Sequence, residues 1–283
     1  MTANNCSFCY LACVPPKVPN GMPVSSYMRS LGCNGFNRFF WRVPTTRLRA
    51  VLSKPELANA IVFRRSRKVI GHSISECTGT VRLGSFVIIA YRLNKPSRRI
   101  RKVIQRALQR APYFKLCPSV YAFPQLKRTS MTTSQSTIGR SSKRQSITTP
   151  RELVDILNGF DARVLRLSRL VVLDQAMERE LVERMVSTRK AQCRRLTESC
   201  KSIVLSAHLQ RSEYLVTRAL RLKLSEIKYR YRAARAVLSF LKRQMNIDMS
   251  DELFRASRAI SSCRDALRSA EEMQTSTPAE TTH

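Results

Sequence analysis

The sequence predicts an α+β protein, in which one antiparallel sheet carries helices on a face and a purely helical region follows. Two observations predict it. Between residues 85 and 173, short runs of β-forming residues alternate with amphipathic helical segments. From residue 174 onward, apolar residues recur at intervals of three and four without strand-like text. The 283 residues, 43% of them hydrophobic, hold enough apolar surface for a real core.

Residues 1–84 sustain no period of two or of 3.6. Gly21, Gly32 and Gly35 fall here, after Pro15, Pro16 and Pro19. A poorly ordered, basic N-terminal segment is therefore expected, with short helices at most, around 46–52 and 54–61. The text then changes. FVIIAYRL (86–93) reads as a buried strand. Pro96 and Ser97 open a helix whose apolar face is Ile100, Val103, Ile104, Ala107, Leu108 and Ala111, and Pro112 stops it. YFKLC (113–117) and SVYAFP (119–124) read as two more strands. Residues 126–149, rich in Ser and Thr, read as a mobile loop. ELVDILNGF (152–160) is a short helix opened by Pro150, and RVLRLSRLVVL (163–173) is a strand. Strand, helix, strand, strand, helix, strand is the order of a ferredoxin-like βαββαβ sandwich, placed at 85–173.

A helical region is expected at 174–271. Met177, Leu181, Met185 and Val186 share one helical face. Leu220, Leu224, Ile227, Tyr231, Ala234, Leu238, Leu241 and Met245 then alternate spacings of four and three, a partly coiled-coil heptad seam. That seam either packs within the chain or joins two copies as a homodimer through Leu220, Leu224, Ile227, Leu238 and Leu241. Asp248 and Ser250 cap a last helix with Leu253, Ile260, Cys263 and Leu267 inward, and a disordered tail is expected at 272–283.

The charge is lopsided, with 51 Lys+Arg against 19 Asp+Glu and a formal net charge of +32. A small neutral substrate gives no reason for such an excess. A polyanion does, because each neutralised phosphate releases condensed counterions. Nucleic acid ranks first as partner and an anionic membrane surface second. No run of about 18 apolar residues predicts a transmembrane helix, and the start lacks the pattern of a signal peptide. Nine scattered Cys fit free thiols in a reducing cytoplasm.

FVIIAYRL, the basic helix SRRIRKVIQRAL, the strand text CPSVYAFP and the following ELVDILNGFDARVLRLSRLVVLDQAMERELVERMVSTRKAQ together resemble the N-terminal domain of ChrB-type chromate-resistance regulators. The resemblance covers roughly residues 85–205. It implies a topology shared with CRISPR adaptation endoribonucleases and PaaX-type repressors, and a regulatory, DNA-binding role. The chain departs from the pattern at Val103, where the family usually has Trp. It departs again at Tyr91-Arg92-Leu93, where the endoribonucleases end their first strand on a metal-binding Asp. Between Glu76 and Glu152 there is no carboxylate at all. The Mg²⁺-dependent nuclease alternative, which needs carboxylate oxygens, is disfavoured on that ground.

The candidate contact residues follow from the charge pattern. Arg98, Arg99, Arg101, Lys102 and Arg106 occupy the polar face of the basic helix, inside an acid-free stretch (77–151) that holds sixteen Lys/Arg. Arg221, Lys228, Arg232 and Arg235 make a second basic surface along the heptad helix, with Tyr229 among them as a ring able to stack on a base. Cys6, Cys9 and Cys13 form C-x₂-C-x₃-C with Cys33 as a fourth thiol, short of the two clean pairs of a structural zinc site. His72, His208 and His283 stand alone, and no nucleophile–base arrangement can be assembled. The expected function is non-catalytic, regulatory nucleic-acid binding without cofactor or metal. An adaptor that binds a partner chain through the heptad helix is the alternative.

Overall fold

A computed structural model describes residues 8–13, 23–57, 60–74, 81–94, 96–125, 147–209 and 214–276. The chain divides into two compact units, and the division falls within a helix, after Met185. The expected boundary at 173/174 is thus displaced by a dozen residues. Leu181 and Met185, on the first turns of that helix, are buried in the first unit's part of the chain.

The first unit is built on an eight-stranded antiparallel sheet. In chain order its elements are β1 (Phe8–Ala12), α1 (Val24–Ser30), β2 (Asn34–Asn37), β3 (Phe40–Pro44), α2 (Leu48–Leu52) and β4 (Ile61–Arg65). A two-stranded excursion follows, β5 (Ser73–Ile74) and β6 (Val81–Arg82). The second half is β7 (Phe86–Arg92), α3 (Arg98–Gln109), β8 (Phe114–Cys117), β9 (Val120–Pro124), α4 (Pro150–Asn158) and β10 (Arg163–Val172). The sheet runs β2-β3-β1-β4-β10-β7-β9-β8.

That order corrects the expectation of an irregular first 84 residues. Residues 8–65 repeat the strand, helix, strand, strand, helix, strand sequence of residues 86–172, and the sheet order of one half mirrors that of the other. The correspondence extends to register. β1 pairs with β3 from Phe8↔Pro44 to Ala12↔Phe40, and β7 with β9 from Phe86↔Pro124 to Ala90↔Val120. Each hairpin has four residues, a two-residue turn and five residues, and each slips register at the same step, after Gly35 and after Lys115. The Cys13 amide donates to the Phe39 carbonyl (2.9 Å) as the Tyr91 amide donates to that of Ser119 (3.0 Å). The halves join where β4 pairs antiparallel with β10, from Leu170↔Arg65 to Val172↔Phe63.

Both faces of the sheet are covered. On one face Leu11, Trp41, Val43 and Val62 pack under Met28 of α1 and Val51 of α2. In the second half Val87, Ile89, Tyr121 and Phe123 pack under Ile104, Ala107 and Leu108 of α3 and Leu153 and Leu157 of α4. The opposite face carries Phe40, Phe63, Phe86 and Phe114, each at most 1% exposed. The sheet curls toward this face. The Cys117 thiol, at the end of β8, lies 3.6 Å from the Phe39 carbonyl in the β2–β3 turn. In a flat sheet, strands at its two edges would be roughly 34 Å apart. Phe63 meets Phe86, and Phe86 meets Phe114, edge to face at 6.3 and 5.5 Å between centroids.

Two glycines are required by close approach. A Cβ on Gly35 would sit 2.7 Å from the ring of Trp41, its cross-strand partner, so the glycine that reads as a loop signal makes room for an aromatic. Gly84 has φ +64° and would place a Cβ 2.6 Å from the Ile70 carbonyl. There Ser85 ties the strand entrance down: its amide donates to that carbonyl (2.9 Å) and its hydroxyl accepts the Ile70 amide (2.8 Å).

The second unit contains the rest of α5 (Gln175–Leu209) with α6 (Tyr214–Met245) and α7 (Ser250–Ser276). α5 continues to Leu209, and α7 runs five residues beyond the expected 271. Leu220, Leu224 and Ile227 of α6 pack against Leu196, Cys200 and Ile203 of α5 and Cys263 and Leu267 of α7. Leu238, Leu241 and Met245 are buried as well. The seam is therefore filled from within one chain, since each long helix brings its own apolar stripe. It is not left open for a second copy. Asp248 accepts the Ser250 amide at the start of α7 (2.9 Å). The expected loop at 126–149 lies, for residues 126–146, outside the described residues, as do residues 277–283 of the tail.

Three outcomes test this fold. Trp41 is the chain's single tryptophan and is 2% exposed. Its native fluorescence is expected to be blue-shifted and nearly immune to acrylamide, and a solvent-like spectrum would refute order in the first half. Leu238→Ala is expected to cost about 2–5 kcal/mol, with a Tm independent of protein concentration because the seam packs within the chain. Burial pushes His72 down to about 4 from its ordinary 6.5. The unfolded chain then binds the extra proton, so stability falls as pH drops from about 6.5 toward about 4. Urea unfolding at pH 7 and pH 4.5 should show that loss in the wild type and a smaller one in His72→Gln.

Candidate nucleic-acid interface

α3 is held at both ends and along one side. The Ser97 hydroxyl accepts the Ile100 amide at 3.2 Å, capping the helix. The carbonyl of Arg110, just past the other end, accepts the Thr148 amide at 3.0 Å. α4, beside it, opens with a capping box between Thr149 and Glu152. With Ile104, Ala107 and Leu108 turned to the sheet, Arg98, Arg99, Arg101, Lys102 and Arg106 are all exposed. They span about 12 Å of helix axis. Arg110 differs from this row: it is half-buried, and its Nε is buried without a hydrogen-bond partner.

The row carries an electrostatic cost. Two of its arginines stand in the first turn of α3, where no acidic residue is present. Cations there face the positive end of the helix dipole, worth roughly 0.3–1 kcal/mol each. Ion pairs elsewhere join Arg184 to Glu180, Lys190 to Glu252, Arg221 to Glu271, Arg230 to Glu226, Lys242 to Asp248 and Arg268 to Glu272. None of the five α3 cations takes part in these. Their charge faces water.

The other predicted contact residues belong to the second unit. Arg221 and Lys228 line a cleft between α6 and α7. Arg232 and Arg235 are exposed farther along α6, and Tyr229 is half-buried beside Lys228. Arg221 is ion-paired to Glu271 and so differs from the open row on α3. Sequence reasoning missed Arg264 and Arg268 of α7, which line the same cleft. Their i,i+4 spacing was the available signal, but it reads as an ordinary solvated face until α7 is known to lie against α6.

The cysteines of the sequence's zinc alternative are placed otherwise. Cys9, Cys13 and Cys33 are buried in the Trp41 cluster, and Cys6 lies outside the described residues. Burial pushes the Cys13 thiol up to about 11 and that of Cys33 upward too, away from the thiolate a metal binds. Among the described residues, no group of three or more His, Cys, Asp or Glu is placed to hold a metal ion. Nor is any helix among them long and apolar enough to cross a membrane.

Comparison with family models, with curated proteins and with solved structures returns no match to this chain.

Proposed function

We propose that this chain is a non-catalytic, regulatory nucleic-acid-binding protein whose principal contact surface is the cationic face of α3. The observation that carries the reading is the row Arg98, Arg99, Arg101, Lys102 and Arg106, exposed on a capped helix and outside the ion pairs that engage many other cations. A helix that keeps arginines at its own positive end gains when an anion docks there. Phosphate oxygens are suited to this row, because contacts to them fix position without reading sequence.

Within the same proposal, residues 86–172 form a ferredoxin-like unit related to the ChrB-type N-terminal domain. The support is the order of its elements and the antiparallel arrangement β10-β7-β9-β8. Residues 8–65, with the same order, form a second such unit. Absence of catalysis is supported by the carboxylate-free sequence between Glu76 and Glu152. A reducing, cytoplasmic setting is supported by six free, buried cysteines among the described residues, Cys13, Cys33, Cys117, Cys193, Cys200 and Cys263. The adaptor alternative loses its main support, because the heptad seam it would use is buried within the chain.

The test is a titration of duplex DNA and RNA probes at several salt concentrations. Five phosphate contacts on duplex DNA correspond to a slope of log affinity on log salt of roughly −4 to −5. Arg98→Glu/Arg99→Glu/Arg101→Glu/Lys102→Glu should make that slope shallower by roughly 3 to 4. Binding that is absent at low salt, or indifferent to salt, overturns the proposal.

A further inference from the structure

We infer that the cleft between α6 and α7 is a second contact site, a track for the phosphodiester backbone of a single nucleic-acid strand; this rests on the nucleic-acid reading above. The cleft encloses about 390 Å³. Arg221 and Lys228 form one bank and Arg264 and Arg268 the other, over a floor that includes Leu224 and Leu267. Four cations thus face one lining carboxylate, Glu271.

The shape of the charge selects a polymer over a small anion. Arg221, Lys228, Arg232 and Arg235 each fall one residue after a seam position, namely Leu220, Ile227, Tyr231 and Ala234. Because the seam faces the helical core, residues one step past it stay on one edge of α6 for its whole length. From Arg221 to Arg235 that edge measures about 21 Å. A lone phosphate would engage two or three cations inside the cavity and leave Arg232 and Arg235 unused. An evenly charged strand lying along the edge meets all of them.

The cations are available to such a strand. Arg221, Arg264 and Arg268 have side chains 64%, 63% and 78% exposed; the pairs of Arg264 with Asp265 and Arg268 with Glu272 lie in solvent, while Glu271, the partner of Arg221, is half-buried. Exposed pairs of this kind contribute about 0–1 kcal/mol each, so a phosphate can displace them. Apart from the charged banks, the lining offers Ser225 as its one hydrogen-bonding side chain beside the leucines, too little to read a run of base edges. Binding in the cleft should therefore tolerate any sequence.

The test uses the full chain and labelled mixed-sequence single-stranded DNA 12-mers, with 3-mers and inorganic phosphate as competitors. Arg264→Glu/Arg268→Glu should weaken 12-mer binding about tenfold or more at low salt and make the salt slope shallower by roughly 1 to 2. Arg264→Lys/Arg268→Lys should recover most of the affinity, and 3-mers and phosphate should compete poorly. If the charge reversal perturbs folding by circular dichroism, Lys228→Gln/Arg232→Gln on the other bank replaces it, with a smaller loss of the same sign. A folded cleft variant that binds like wild type, while charge reversal on α3 reduces binding, overturns the cleft and leaves the α3 reading standing. Phosphate that displaces the 12-mer as well as an unlabelled 12-mer does marks a small-anion site and also overturns the track. A wild-type chain that binds no oligonucleotide at low salt overturns both readings.

Discussion

Phe63, Phe86 and Phe114 meet inside the curled sheet, and the rest of the first unit depends on that contact. The two halves are hydrogen-bonded to each other along the short stretch where β4 runs beside β10. Edge-to-face aromatic pairs add about 0.5–1.5 kcal/mol each beyond the apolar area they bury, and they link β4, β7 and β8 across strands that are not neighbours. The inner face is lined by the sheet's own aromatic side chains, and α1, α2, α3 and α4 pack on the outer face. α3 can then present its polar side only outward.

The second half of the unit was legible in the sequence for a plain reason. α3 has twelve residues, long enough to display a full apolar stripe, and Ser97 and Pro112 mark its ends. The first half was not. α1 and α2 have seven and five residues, too few to establish a period. β1 is apolar on both faces because both are covered, so it shows no alternation, and Gly35 reads as a break although it accommodates Trp41. The repeat itself is hidden because identity survives at few positions, such as Phe8 and Phe86, Ala12 and Ala90, and Pro44 and Pro124, while others match in burial alone. Leu11 stands where Ile89 does, Trp41 where Tyr121 does, and Val43 where Phe123 does. In the candidate sites, the α3 row and the α6 edge could be read from spacing alone. The α7 bank needed the tertiary pairing of two distant helices.

The two units manage the same excess of positive charge differently. In the helical unit, cations are interleaved with acids at i,i+4 or across helices, as with Arg230 and Glu226 or Lys190 and Glu252. Such pairs are weak individually but lower the self-repulsion of a basic bundle. On α3 the nearest acids in sequence are absent, and the helix relies on its cap and its apolar face for stability. Repulsion there is left standing, which makes the surface responsive to whatever anion arrives.

The mirrored halves have one more consequence. A curled sheet assembled from two identical chains must change every surface residue twice, once on each side. Here both halves are encoded separately, and α1, which holds α3's position in the first half, has Arg29 as its single cation where α3 presents five. Shared topology thus coexists with unequal surfaces: one copy is free to specialise in charge while both supply the framework of the sheet.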